Sequence, residues 1–219
     1  ECLVMHAWDV SPKEAIGIQK ALQSHVNLTD DYGDIKTVAG VDVGFEKDNT
    51  ITRAAIVVLD VKTLEVIQTS IAQHPTSFPY VPGLLSFREV PAVLEAMLKL
   101  SAEPDLLLCD GQGIAHPRRF GIAAHLGLLL DIPAVGVAKS RLIGTHDEVP
   151  PEKGSFVPLM DKGEQIGVVL RTRANVKPLY ISPGHRVSIA SAPKLVMKYV
   201  TKYRLPITTR HAHKLASGV

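Results

Sequence analysis

The residues best suited to chemistry lie in the run Leu106-Leu107-Leu108-Cys109-Asp110-Gly111-Gln112-Gly113-Ile114-Ala115-His116-Pro117-Arg118-Arg119. A short apolar stretch ends in a carboxylate; glycines, a histidine and two arginines follow. The apolar part reads as a buried strand, because it is continuous, short and closed by glycine. Asp110 then sits at the mouth of a sheet, where a carboxylate can hold a hard cation such as Mg²⁺. Gly111 and Gly113 leave bare backbone for a ligand, and Arg118 and Arg119 suit phosphate. Asp42 has the same character within Val41-Asp42-Val43-Gly44. Alternation turns it to the face opposite Val41 and Val43. A lone charge among apolar strand residues is costly, so it requires a cation or a hydrogen-bond partner. Two such acids on adjacent strands could share metal ions, and paired ions about 3.5–4 Å apart activate water and stabilise a leaving oxygen. Acid, bare backbone and phosphate binders point to metal-dependent attack on a phosphodiester.

Other candidates weigh less by residue type alone. Glu89 is a third carboxylate, but a glutamate in a first helical turn also simply complements the helix dipole. Lys139, after the apolar run Ala134 to Ala138, could neutralise a phosphate or serve as a solvated strand-end lysine. His116 beside the arginines and His213 near the C-terminus stand out among nine histidines. Tyr80, between Pro79 and Val81-Pro82, sits in a stiff loop and could wedge into a base stack, or pack its loop onto the body. Gly111-x-Gly113 lacks the third glycine of a dinucleotide fingerprint, since His116 stands there, and there is no Walker A sequence. A nicotinamide or ATP enzyme is disfavoured, and no organic cofactor is expected.

The elements that must position these residues are legible in outline. Ser11 to Ser24 predicts an amphipathic helix with Ser11 as N-cap, Pro12 at the first position and Glu14 closing a capping box. Thr37–Val43, Ala54–Leu59 and Glu65–Ser70 predict strands whose short connections favour antiparallel pairing. The proline-rich His74 to Gly83 reads as a stiff loop. A helix over Ser86–Ser101 would bury Phe87, Val90, Leu94, Met97 and Leu98. The Asp105–Asp110 strand, a Gly121–Leu130 helix and an Ala134–Val137 strand alternate, which favours parallel neighbours. Thr145 to Lys162 reads as polar loop, Ile166–Leu170 and Leu179–Ser182 as strands, Ser191–Lys202 and Thr208–Ala216 as helices. One α/β domain over residues 1–219 is the expectation.

Composition narrows the function classes. The chain has 219 residues, 46% hydrophobic and 21% charged, with a formal net charge of +2. That is ordinary for a globular domain, so nucleic-acid contact must come from local patches. Cys2 and Cys109 make no disulfide framework or zinc spacing, which fits a cytoplasmic setting. No apolar run approaches the roughly 18 residues of a membrane span, and no signal pattern is visible. Glu1 in place of Met suggests a trimmed or partial chain.

The stretches VAGVDVGF (Val38–Phe45), FPYVPGLLSFRE (Phe78–Glu89), DGQGIAHPRRFGIAAHLG (Asp110–Gly127), IPAVGVAKSRL (Ile132–Leu142), SPGHRVS (Ser182–Ser188) and RLPITTRHAH (Arg204–His213) together resemble the endonuclease V family. The resemblance covers nearly the whole chain in the family's order. It implies a ribonuclease H-like α/β fold with a mixed central sheet flanked by helices. It implies Mg²⁺, with Mn²⁺ as a substitute, and cleavage of inosine-containing DNA, and of single-stranded RNA as a further substrate. The cut falls at the second phosphodiester bond 3′ to the lesion, leaving 3′-hydroxyl and 5′-phosphate ends, and the enzyme is expected to be a monomer. Asp42, Glu89, Asp110 and His213 match the metal positions, with Lys139 as a further catalytic residue. His211 offers a second imidazole two residues before His213. Tyr80 matches the wedge, flanked by Pro79 and Pro82. Gly83, Leu85, Gly111, Gly113, Ile122 and Gly136 match the base pocket, with His116 and Arg118 beside it. Two alternatives remain open: another ribonuclease H-like nuclease, such as a junction resolvase, and a non-catalytic nucleic-acid binding module.

Overall fold

Three strands pair first, in chain order. β1 (Thr37–Glu46), β2 (Ile51–Asp60) and β3 (Val66–Pro75) form an antiparallel meander, as their short connections require. The computed structural model describes residues 6–218, so Glu1 and Cys2 lie outside it. α1 (Pro12–Gln23) precedes the meander and carries the capping box of Ser11 and Glu14. After β3 the chain alternates: α2 (Leu85–Leu98), β4 (Leu106–Asp110), α3 (Ile122–Leu130) and β5 (Ala134–Ala138). β4 lies parallel to β1, and β5 parallel to β4. The parallel run stops there. β8 (Leu179–His185) joins β5 antiparallel, and β7 (Glu164–Leu170) and β6 (Phe156–Asp161) complete the sheet in the order β3-β2-β1-β4-β5-β8-β7-β6.

Each sheet face has its own core. Ala39, Val41, Ile56, Leu107 and Cys109 face α2 and α3, with Val90, Val93, Leu126 and Leu129 packed against them. Val38, Val57, Leu106, Leu108, Val135 and Val137 form the opposite core with Leu195, Val196 and Ala212. Those last residues belong to α4 (Ala192–Met197) and α5 (Ile207–Ala216). α5 lies directly on β1 because Gly40 has no side chain: a Cβ there would fall 2.2 Å from the Thr208 carbonyl oxygen. That close approach brings α5 over Asp42.

Four sequence expectations are corrected. His74 and Pro75 belong to β3, an edge strand of the sheet, where a proline costs no ladder bond on its open side. The buried stripe of α2 runs through Ser86, Val90, Val93 and Met97, while Leu98, in the last turn, is 86% exposed. The Thr145–Lys162 loop contains β6, an edge strand in which only Leu159 is buried, so it lacks the apolar pattern of a core strand. The Ser191–Lys202 helix ends at Met197.

Candidate active site

Sheet register brings the two strand acids together. β1 and β4 pair Val41 with Cys109 as their last partners, so Asp42 and Asp110 follow side by side. β1 itself continues to Glu46, so Asp42 is a mid-strand residue at the point where its parallel neighbour stops. α5 then delivers His213, whose Nδ1 lies 3.0 Å from Asp42 Oδ2. One donor atom from each of Asp42, Asp110 and His213 lies within 4.8 Å of the others. His211 does not join this group. Lys139, the residue after β5, puts Nζ 2.8 Å from Asp110 Oδ2 and 3.5 Å from His213 Nδ1. Glu89 reaches the same hollow from α2.

The acids repel one another in a partly dry site. Burial pushes Glu89 up to about 8, reinforced by the charges of Asp42 and Asp110. Burial and Asp110 raise Asp42 to about 6, against the opposing hydrogen bonds from the Val43 N–H and from His213. Positive charge is short here, and a divalent cation bound by hard oxygen donors and an imidazole would supply it. Cys109 beneath Asp110 is fully buried and its thiol is pushed up to about 12, so it is an inert packing residue.

A hollow of about 520 Å³ opens beside the acids. Of the residues singled out from sequence, Asp42, Glu89, Asp110, Lys139, His213, Tyr80, Pro82, Gly83, Leu85, Gly111, His116 and Ile122 all line it. Pro79, Gly113, Gly136 and Arg118 are not in its wall. Gly113 and Gly136 serve the backbone instead. A Cβ on Gly113 would fall 2.1 Å from the Pro183 carbonyl oxygen, and one on Gly136 would fall 2.4 Å from Gly113 N. The Gly113 N–H donates to Ser182 Oγ at 2.8 Å. These two glycines let the loop after Asp110 lie flat on β5 and β8.

The loop bearing Tyr80 is clamped at one atom. The Gly83 carbonyl accepts from Gln19 Nε2 at 2.9 Å, His116 Nε2 at 2.7 Å and Arg118 Nη2 at 3.1 Å. Burial pushes His116 down to about 4, and its Nδ1 accepts from the Arg118 N–H, so it is a neutral clamp. Gly83 itself holds a φ of +83°, which a side chain would strain. Arg119 pairs with Asp161 at 2.9 Å and Glu164 at 3.4 Å, and its Nη1 donates to the His116 carbonyl. Neither arginine is left free in the way a phosphate binder read from sequence would be.

Residues not singled out from sequence also border the hollow, among them Ser86, Gln112, Ser140 and Arg141. Arg88 lies with its guanidinium 4.6 Å from the Phe45 ring centre and 5.8 Å from that of Tyr80. Its buried Nε has no partner among the described residues. Its position next to Glu89, one turn after the Tyr80 loop, was the available signal.

Carboxylates from two adjacent parallel strands, joined by acid and imidazole from helices on either face of a mixed sheet, define a metal-dependent nuclease of the ribonuclease H-like class. The chain belongs to the endonuclease V family, whose model, described as Endonuclease V, matches residues 20–214. Endonuclease V of Rippkaea orientalis is 58% identical over 208 residues, covering 95% of this chain and 91% of that protein. The crystal structure of Endonuclease V from Streptomyces avermitilis superposes with a TM-score of 0.92 at 41% identity, covering 97% of this chain and 94% of the other. Ciona intestinalis Endonuclease V, solved in complex with a 24mer DNA containing an inosine followed by a ribo-adenosine, superposes with a TM-score of 0.81 at 27% identity, over 94% of this chain and 96% of that one. No helix among the described residues is long and apolar enough to cross a membrane.

Proposed function

We propose that this endonuclease cuts strands containing inosine, the nucleoside of deaminated adenine, at the second phosphodiester bond on the 3′ side. DNA is the substrate in this reading, with single-stranded RNA as a further one. The enzyme works as a cytoplasmic monomer, a single domain over residues 1–219, with Mg²⁺ or, in its place, Mn²⁺. One observation carries the reading: acids short of positive charge share a hollow with bare backbone at Gly83 and Gly111. The first feature suits a cation and a phosphate, the second a flat base. The inosine-containing DNA bound by the Ciona relative supports the choice of base.

Asp42, Asp110, His213 and Glu89 would hold the cation. When bound, it supplies Lewis-acid charge to a phosphate oxygen and to the attacking water. The chain's own residues do the remaining work. Water adds in line at phosphorus and the P–O3′ bond breaks, which frees a 3′-hydroxyl and leaves the phosphate on the 5′ end of the downstream piece. Lys139 sits beside Asp110 with its ammonium placed to oppose the charge that builds on the non-bridging oxygens. His213, hydrogen-bonded to Asp42, fixes that carboxylate. Tyr80, 68% exposed at the rim, fills the space left by an extruded base, with Pro79 and Pro82 stiffening its loop. Leu85, Gly111 and Ile122 shape the pocket for that base. His116 and Arg118 hold the loop through the Gly83 carbonyl, and Gly113 and Gly136 seat the loop behind Asp110.

The test offers one inosine in matched DNA and RNA strands, with Mg²⁺, and maps the cut. Cleavage one nucleotide beyond the lesion's own 3′ phosphate is expected. Equal cleavage of an inosine-free four-way junction would favour a resolvase instead.

A further inference from the structure

Behind the hollow, a chain of hydrogen bonds runs from a backbone carbonyl to Ser86. His6 Nδ1 lies 2.8 Å from the Ala7 carbonyl oxygen. A carbonyl only accepts, so Nδ1 carries the proton, and in the neutral ring Nε2 is then a lone pair. His6 Nε2 lies 2.7 Å from His125 Nε2, so His125 must donate there. His125 is fully buried among Trp8, Phe87 and Phe120, and its burial holds it neutral. Its single proton is therefore on Nε2, and Nδ1 accepts. Ser86 Oγ, 2.8 Å from that Nδ1, must donate its proton. The hydroxyl is left with lone pairs alone. Ser86 borders the hollow one helical turn before Glu89 and has no other hydrogen bond among the described residues.

We propose that Ser86 is a specificity-determining residue: the Ala7–His6–His125 chain holds its Oγ as an obligate acceptor, which takes the N1–H of an extruded hypoxanthine and repels the N1 lone pair of adenine. This rests on the inosine reading above. The two bases differ at N1 by one proton, and an acceptor whose own proton is committed to His125 discriminates where a freely rotating hydroxyl would serve either base. The hydrogen bonding of the pocket thus originates at a carbonyl outside it, through two imidazoles that never meet the substrate.

The test measures equilibrium affinity at pH 8, where imidazole is neutral, with Ca²⁺ in place of Mg²⁺. The strands carry inosine, adenine or nebularine at one position; nebularine is a purine whose N1 is a lone pair. For Ser86→Ala, affinity for inosine falls about tenfold, the size of one hydrogen bond, while affinity for nebularine holds or rises. Equal weakening on all three strands would mean a structural role for Ser86, and no change on any would remove it from the site; either overturns the inference. If the unmodified enzyme itself fails to prefer inosine over adenine, the inosine reading fails, a different result from either.

Discussion

Two polar clusters hang from the same helix one turn apart and are built on opposite rules. Glu89 of α2 joins Asp42 and Asp110, where like charges crowd together and Lys139 is the cation in direct contact. Ser86 of α2 joins His125 and His6, where each proton has a single assigned partner and the rings stack among aromatics. Both clusters are taken largely out of water. The first is held in deficit and the second is satisfied, and a buried deficit persists only where something else completes it. The contrast separates groups that meet the phosphate from groups whose proton order is fixed behind the base, although both contain residues commonly used in catalysis.

The sharpest break comes from removing one member of each cluster. Asp42→Asn and Asp110→Asn are expected to lower the single-turnover cleavage rate by about 10³-fold or more, by loss of preorganised charge at the phosphate. Asp42→Asn also relieves a carboxylate that the fold disfavours in its charged form, so the metal-free protein melts no lower, and higher at pH 8. His125→Ala works the other way. His125 is fully buried, and its loss leaves a cavity and an unpaired Ser86 hydroxyl. Urea unfolding should show a loss of about 3–5 kcal/mol. Equal stability losses in Asp42→Asn and His125→Ala would erase the distinction.

Legibility in the sequence followed the same division. Asp42 could be read because apolar strand neighbours flank it, and Asp110 because it ends an apolar run at two glycines. Glu89 could not, since an ordinary first-turn glutamate looks the same, and only the family pattern separated the two. The satisfied cluster was invisible: His6, Ser86 and His125 are far apart in the chain, and nothing local marks their proton order. Gly113 looked like an opening for a ligand, but its close neighbour is Pro183, a contact set by how β8 docks on β5. The sheet was readable through β5, where alternation of strand and helix is strong, and again at the apolar runs of β7 and β8. Only edge strand β6 was missed, because it buries too little apolar surface to give a pattern.

Stability against pH should fall on opposite sides for the two kinds of group. Asp42 and Glu89 are raised, to about 6 and about 8, so the fold keeps protons that the unfolded chain has released. Their contribution is whole below the ordinary carboxylate range and is lost as pH rises through 6 and 8. His116 is lowered to about 4, so the unfolded chain takes the extra proton. Its contribution is whole above the ordinary imidazole value and is lost as pH falls toward 4, by about 3 kcal/mol. Urea titrations of metal-free protein from pH 4 to 9 should show both limbs. Mn²⁺ should lift the alkaline limb alone, and Glu89→Gln should flatten it. An alkaline limb unchanged by both would show that the acids carry no deficit.

The smallest effect expected is at Arg119, and it tests whether an ion-paired cation stays out of phosphate binding. By residue type it suits phosphate, but its guanidinium is paired with Asp161 and Glu164. A side chain that neutralised a backbone phosphate would, on removal, lower the slope of log affinity against log salt by about 0.7–0.9. Arg119→Ala should leave that slope unchanged and cost about 1 kcal/mol or less, since partly exposed ion pairs contribute little. Lys139→Ala should lower the slope, because its ammonium faces the hollow where the phosphate would lie. A slope reduced by both substitutions would mean that Arg119 leaves its carboxylates when the strand binds, and that a satisfied group had been a latent part of the site.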